Sequence, residues 1–95
     1  MHRYLIETVR KYIPLLCEVE AVYLFGSVLD VDKTPNDIDI LIIYLEYKNV
    51  MHQYVKEFAA KVESTSGLKV DLTMLSVEEE KEVRFLERIN SLQLK

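Results

Sequence analysis

The sequence predicts an α/β protein in which helices pack on a small β-sheet. Short apolar runs such as AVYLF, which suit buried strands, alternate along the chain with segments whose apolar residues recur at helical spacing. The chain has 95 residues, of which 49% are hydrophobic and 29% charged, and this suits one soluble globular domain over residues 1–95. Elements that alternate in this way are expected to bury one face of each helix against the sheet.

Local patterns set the bounds of each element. The predicted elements are, in chain order, a helix over residues 3–13, a strand over 21–25, a polar loop over 30–36, a strand over 38–45, a helix over 50–64, a strand over 68–75 and a last helix from Ser76. Pro14 limits the first helix, and Gly67 ends the second. Ser76 and Glu79 match a capping box that opens the last helix. The side chains of that helix expected to face the core are Val83, Leu86, Ile89 and Leu92.

Charge and hydropathy exclude several classes of function. The net charge is -4 and no stretch is densely basic, so tight binding to duplex nucleic acid is not expected. The longest apolar run, Ile40–Leu45, is too short to cross a bilayer, and the first ten residues lack the apolar core of a signal peptide. A cytoplasmic protein is therefore expected. The single cysteine, Cys17, has no partner for an internal disulfide and, beside Leu16, is predicted to be a small buried side chain.

Two aspartates stand where the second strand begins, in the stretch NDIDILII. Asp37 and Asp39 are two residues apart on a strand, so both side chains leave the same face, roughly 7 Å apart along the chain. Buried charge is costly without a partner, and the nearest basic residue, Lys33, belongs to the preceding loop. Divalent ions with oxygen ligands fit this arrangement. The alternative is that Asn36 and Asp37 are simply turn residues that begin a strand.

Two further features strengthen the first interpretation. Asp71 lies among apolar residues on the third strand, an unusual place for a carboxylate unless that strand runs beside the second and directs Asp71 to the same point. Gly26 and Ser27 end the first strand, where a glycine lets a ligand approach the backbone and a short helical turn directs free N–H groups at an anion such as phosphate. A plain tight turn is the alternative for this pair.

The combination of Gly26-Ser27, Asp37-Ile38-Asp39 and Asp71 resembles the nucleotidyltransferase superfamily that includes DNA polymerase β, and the chain is similar in size to its minimal members. The resemblance spans nearly the whole chain and implies a mixed sheet. It implies that Asp37 and Asp39 hold two Mg²⁺ ions and a nucleoside triphosphate such as ATP. By the same resemblance, Asp71 binds metal and helps to deprotonate the acceptor, and Gly26 with Ser27 holds the β and γ phosphates.

The sequence also departs from the family pattern. Many relatives have a basic residue shortly after the Gly-Ser pair, whereas here Val28, Leu29 and Asp30 follow, and Lys33 is the only cation nearby. Larger members hold their acceptor with a further domain, for which this chain has no room. Many minimal members pair with a helical HEPN-type protein, so the resemblance implies such a partner or a homodimer.

Three interpretations remain open at this stage. The protein is a Mg²⁺-dependent nucleotidyltransferase, or it binds nucleotide or a partner on the same fold with little or no catalysis, or it is an interaction domain whose acidic cluster is incidental. The presence of all three aspartates favours the first over the third. The missing basic residue keeps the second open. Titration with Mg²⁺ and ATP, repeated on Asp39→Asn, separates the third interpretation from the other two.

Overall fold

A computed structural model describes residues 2–95 of the chain. Its helices and strands are α1 (Arg3–Tyr12), β1 (Ala21–Phe25), β2 (Asp37–Tyr44), α2 (Asn49–Ser66), β3 (Lys69–Ser76), α3 (Val77–Val83) and β4 (Ser91–Gln93). Short 3-10 turns occupy Ile13–Leu15, Gly26–Leu29 and Phe85–Arg88. The first six elements follow the predicted order, and their ends lie within two residues of the predicted ends except in α3.

The four strands form one mixed sheet in the order β3-β2-β1-β4. β1 pairs antiparallel with both β2 and β4, whereas β2 and β3 run parallel, joined by the crossover helix α2. The α/β fold with a mixed sheet, which the family resemblance implied, is therefore confirmed. The parallel pair brings the starts of β2 and β3 to the same end of the sheet.

The two faces of the sheet are covered differently. On one face, Ile38, Ile40 and Ile42 of β2 are fully buried in a core that includes Val9 of α1 and Phe58 of α2. On the other face, a smaller cluster is centred on Ala21, Leu41 and Ile43, against which Phe85 and Leu86 pack. Asp37 and Asp39 share this second face because side chains alternate along a strand, and they precede its apolar part.

The structure has the predicted end of α2 and the predicted capping box at the start of α3. Gly67 ends α2 in the left-handed conformation, with φ 75°. At the start of α3, the Ser76 hydroxyl accepts a hydrogen bond from the Glu79 backbone N–H at 3.0 Å, and the Glu79 carboxylate accepts one from the Ser76 N–H at 2.8 Å. The capping box is therefore formed, and it directs the chain away from β3 at the end of the strand.

The predicted extent of the last helix is wrong. α3 ends at Val83, Arg84 adopts a left-handed conformation with φ 52°, and residues 91–93 form the edge strand β4. A single helix would present its apolar side chains on one face. In the structure, the apolar side chains of this segment pack on both faces of the sheet. Leu86 packs on the acidic side, whereas Leu92 joins the core under α1 and α2. Pairing of β4 also covers the edge of β1 that would otherwise be open.

None of the four side chains expected in the core is fully buried. Val83 is 39% exposed, and Leu86, Ile89 and Leu92 are half-buried. Cys17 was predicted to be buried and is instead exposed, while its neighbour Leu16 is fully buried. The 3-10 turn at Pro14 changes the helical phase after α1, so Leu16 takes the inward position. Within residues 2–95, no helix is long and apolar enough to span a lipid bilayer.

Candidate active site

The three predicted aspartates lie together on the second face of the sheet. Asp39 of β2 is directly opposite Asp71 of the parallel strand β3 and, on its other side, opposite Phe25 of β1. Asp37 lies one alternation before Asp39 on the same face. The structure thus brings together the three carboxylates that the sequence pattern singled out, at the end of the sheet where β1 stops and β2 begins.

The carboxylates disturb one another electrostatically. The pKa of Asp39 is raised above its ordinary value, first because burial removes solvent from the carboxylate and then because the negative charges of Asp37 and Asp71 lie nearby. A hydrogen bond to Asp71, which only the protonated acid can donate, acts in the same direction. Three acidic groups that repel one another favour the binding of a cation.

No basic side chain neutralises this group within the part of the chain that the structure describes. The ion pairs there join other acids, and none of them includes Asp37, Asp39 or Asp71. The same residues contain no group of three or more His, Cys, Asp or Glu side chains placed to hold a metal ion. The three aspartates are therefore neighbouring carboxylates without a basic partner among residues 2–95, and not a preformed metal centre.

Gly26 is fitted closely to Asp39. It has φ 77°, and a Cβ atom at this position would overlap the carboxylate oxygen Oδ2 of Asp39 and lie 3.1 Å from its Cγ. Both the conformation and the space therefore require glycine at the end of β1. The Gly26–Leu29 turn that follows carries Ser27, so the Gly-Ser pair lies directly beside the acidic group.

A cleft of about 480 Å³ opens from the Gly-Ser turn. Its wall includes Gly26, Ser27, Lys33, Ile89 and Asn90, and the three aspartates do not line it. Because Gly26 touches Asp39, the cleft and the acidic group are neighbouring parts of one surface. This geometry places the cleft next to the acidic group.

Sequence reasoning missed the contribution of Ile89 and Asn90 to the cleft. It assigned Ile89 to the buried face of a helix, whereas the segment before β4 forms the wall of the cleft opposite the Gly-Ser turn. The signal available was the Asn90-Ser91 pair, since these residue types favour turns over helix interiors.

The geometry of the site and the fold agree with the class of protein found by comparison. Residues 5–91 match the family model for the polymerase beta nucleotidyltransferase domain, which covers nearly the whole chain. The chain belongs to this nucleotidyltransferase family. No curated protein matches it by sequence.

The fold is shared with chains of solved toxin-antitoxin complexes. A chain of the complex described as tri-AMPylated Shewanella oneidensis HEPN toxin with MNT antitoxin is 22% identical, with a TM-score of 0.61, and the match covers 100% of this chain and 72% of that one. A chain of a toxin-antitoxin complex with AMP-PNP is 26% identical, with a TM-score of 0.58 and coverage of 99% and 72%. A chain of the toxin-antitoxin MntA-HepT is 24% identical, with a TM-score of 0.57 and coverage of 95% and 71%.

Proposed function

We propose that this chain, a single domain of residues 1–95 working in the cytoplasm, is a Mg²⁺-dependent nucleotidyltransferase. It transfers a nucleoside monophosphate, AMP from ATP, to a hydroxyl of a protein or RNA acceptor. It acts as the antitoxin or modifying member of a two-component system with a HEPN-type protein. The observation that carries the proposal is the alignment of Asp37, Asp39 and Asp71 on one sheet face, against Gly26 and without a basic partner among residues 2–95.

The chemistry of the ligand set fits Mg²⁺. Mg²⁺ prefers hard oxygen ligands and is usually held by one or two carboxylates together with water and substrate phosphates, rather than by a complete cage of protein groups. Asp37, Asp39 and Asp71 supply carboxylate oxygens of this kind, and Asp39 lies directly opposite Asp71 on the neighbouring strand. When bound, the ions neutralise charge on the transferring phosphate and lower the pKa of the attacking hydroxyl.

The residues of the chain take separate roles in this proposal. Asp37 and Asp39 hold the metal-bound triphosphate, and Gly26 with Ser27 holds its β and γ phosphates. Asp71, which is exposed, faces the acceptor and receives the proton of its hydroxyl. The hydroxyl oxygen then bonds to the α-phosphorus while the bond to the β-phosphate oxygen breaks, and pyrophosphate leaves on the opposite side.

The partner is proposed from the printed descriptions of similar structures. Two of them are toxin-antitoxin complexes with a HEPN or HepT component, and in one the HEPN toxin is tri-AMPylated. This chain spans about seven tenths of the chains it matches there. A homodimer is the other assembly that remains to be tested, and sedimentation of the chain with and without a HEPN-type protein distinguishes the two.

Calorimetric titration with Mg²⁺ and α,β-methylene-ATP tests the site. This analogue is suitable because the bond that breaks in the reaction is the α–β bond. Binding by the wild type and loss of its Mg²⁺ dependence in Asp39→Asn support the proposal. Glu57→Gln is the matched control, because Glu57 is an exposed acid on α2, on the other side of the sheet.

Transfer of label from α-labelled ATP to a HEPN-type protein tests the reaction. Labelled acceptor with the wild type and none with Asp39→Asn supports the enzyme. Binding without transfer supports the alternative function, a catalytically weak or inactive protein that binds nucleotide or a partner, which the absence of a basic residue at positions 28–30 favours. If neither the wild type nor Asp39→Asn binds the nucleotide in the calorimetric titrations, only the interpretation as an interaction domain is left.

A further inference from the structure

The cleft beside the Gly-Ser turn has one basic side chain. Among residues 2–95, Lys33 is the only lysine or arginine that lines it, together with Gly26 and Ser27. The three residues directly after the Gly-Ser pair, Val28–Asp30, provide no positive charge. For a phosphate held against this turn, Lys33 is therefore the one protein side chain lining the cleft that can supply positive charge.

The loop that carries Lys33 is tied to the start of the chain. The His2 ring nitrogen Nε2 lies 2.7 Å from the backbone oxygen of Lys33 and 3.1 Å from that of Asp30. Both partners are acceptors, so Nε2 carries the proton and donates. The backbone N–H of His2 also donates to the Val28 oxygen at 3.3 Å. These contacts hold the backbone on both sides of the loop while the lysine side chain stays 67% exposed.

Lys33 has a weak partner in the free protein. Its Nζ lies 3.9 Å from the Asp30 carboxylate, at a distance and exposure where an ion pair contributes little. Asp30 also lines the cleft, and its Oδ1 accepts a hydrogen bond from the Asp32 backbone N–H. A triphosphate brings more negative charge than this single carboxylate, so the lysine exchanges one anion for a stronger one without moving its backbone.

We propose that Lys33, whose loop is held in place by His2, joins Gly26 and Ser27 in binding the β and γ phosphates of the nucleotide and supplies the positive charge there, and that Asp30 opposes it. The proposal rests on the proposed nucleotidyltransferase function and assigns the source of positive charge at that site. It makes Lys33 a specificity-determining residue, because a lysine beyond the Gly-Ser turn distinguishes triphosphates from monophosphates by charge.

The test compares the affinities of the full chain for Mg²⁺·α,β-methylene-ATP and for AMP. Lys33→Met keeps an unbranched side chain that lacks only the terminal ammonium group. It is expected to weaken binding of the triphosphate about 10-fold or more while changing AMP binding by less than about 2-fold. The control is Lys61→Met, which changes the net charge equally from an exposed position on α2. Its affinity for the triphosphate is expected to stay within about 2-fold of wild type.

Two further variants give effects that a merely structural role would not produce. Asp30→Asn keeps the oxygen that accepts the Asp32 N–H and removes the opposing charge, so the triphosphate is expected to bind about 2- to 5-fold tighter. His2→Ala is expected to weaken triphosphate binding in wild type, but to add little to Lys33→Met, because both changes remove one interaction.

The outcomes separate this proposal from the function on which it rests. Wild type that binds no triphosphate overturns both. Wild type that binds, with Lys33→Met equal to Lys61→Met, overturns the role of Lys33 and leaves the enzyme intact. Equal weakening of AMP and triphosphate by Lys33→Met also overturns it, since the loss would then not depend on the β and γ phosphates.

Discussion

The two faces of β2 show how one strand serves the fold on one side and the site on the other. Ile38, Ile40 and Ile42 are fully buried and hold the sheet to the helices, whereas Asp37 and Asp39 alternate with them and face an open, acidic surface. Burial stabilises the isoleucines, whereas the raised pKa of Asp39 indicates that the fold disfavours the ionised form of this carboxylate. The difference separates residues buried in the core from residues that we propose hold a cation.

The largest expected effect is on activity, from the acidic face. Asp71→Asn removes the proposed proton acceptor and is expected to lower the rate of AMP transfer about 10²- to 10⁴-fold, the usual contribution of a positioned general base. The free energy of unfolding should stay near wild type, because Asp71 is exposed. Transfer assays with α-labelled ATP and a HEPN-type acceptor measure it, with Glu57→Gln as control. A rate above one tenth of wild type would remove Asp71 from the reaction.

On the opposite face the expected effect is on stability. Ile40→Ala, one residue from Asp39, leaves a cavity in a fully buried position and is expected to lower the free energy of unfolding by about 2–5 kcal/mol. Urea unfolding measures it. Asp39→Asn is the matched change on the other face and is expected to be neutral or stabilising in the absence of Mg²⁺. Equal destabilisation by both changes would contradict the division of roles between the faces.

Gly26 and Gly67 have the same backbone conformation but different surroundings, so they allow a comparison with a smaller expected effect. Gly26 and Gly67 have φ 77° and 75°, but a Cβ would overlap Asp39 at the first and meets nothing within 4 Å at the second. Gly67→Ala is expected to cost about 1–2 kcal/mol for the left-handed conformation alone. Gly26→Ala is expected to cost more and also to weaken Mg²⁺-dependent nucleotide binding. Thermal unfolding measures the loss of stability, and calorimetry measures nucleotide binding. Equal stability and equal nucleotide binding of the two variants would argue against a close fit of Gly26 to the site.

The smallest expected effect is on the pH dependence of stability. Because the pKa of Asp39 is raised in the folded state, the folded protein binds a proton more tightly than the unfolded chain. The contribution of Asp39 to stability therefore falls as pH rises from its ordinary pKa through its raised one, and is constant above it. In EDTA, Asp39→Asn should be more stable than wild type at neutral pH, and the difference should shrink towards about pH 4. A difference that grows on acidification would contradict the raised pKa.

Much of this arrangement follows from local sequence patterns. The alternation in NDIDILII predicts the two faces of β2, because side chains alternate along a strand. The single carboxylate of Asp71 among apolar residues predicts that β3 runs beside β2. The mixed sheet was implied by the family resemblance and is confirmed. The proposed roles of the five site residues stay predictions, although the structure brings their positions together.

The C-terminal segment was not predictable in the same way. Val83, Leu86, Ile89 and Leu92 are spaced like a helix face, and the capping box at Ser76 supports a helix start. What ended the helix was tertiary: the edge of β1 required a partner strand, and the apolar side chains were divided between two faces of the sheet. Asn90 lines the cleft because of the path that the chain takes between α3 and β4. Local sequence patterns therefore could not predict its position either.

The most direct test of the central claim is a Mn²⁺ titration followed by electron paramagnetic resonance, in the presence of α,β-methylene-ATP. Mn²⁺ replaces Mg²⁺ at oxygen sites and reports on bound ions by loss of the free-ion signal. Wild type is expected to bind the ion with the nucleotide, and the triple variant Asp37→Asn, Asp39→Asn, Asp71→Asn is expected to lose that binding while remaining folded. Unchanged Mn²⁺ binding by the folded triple variant would contradict the claim that these carboxylates form the cation site.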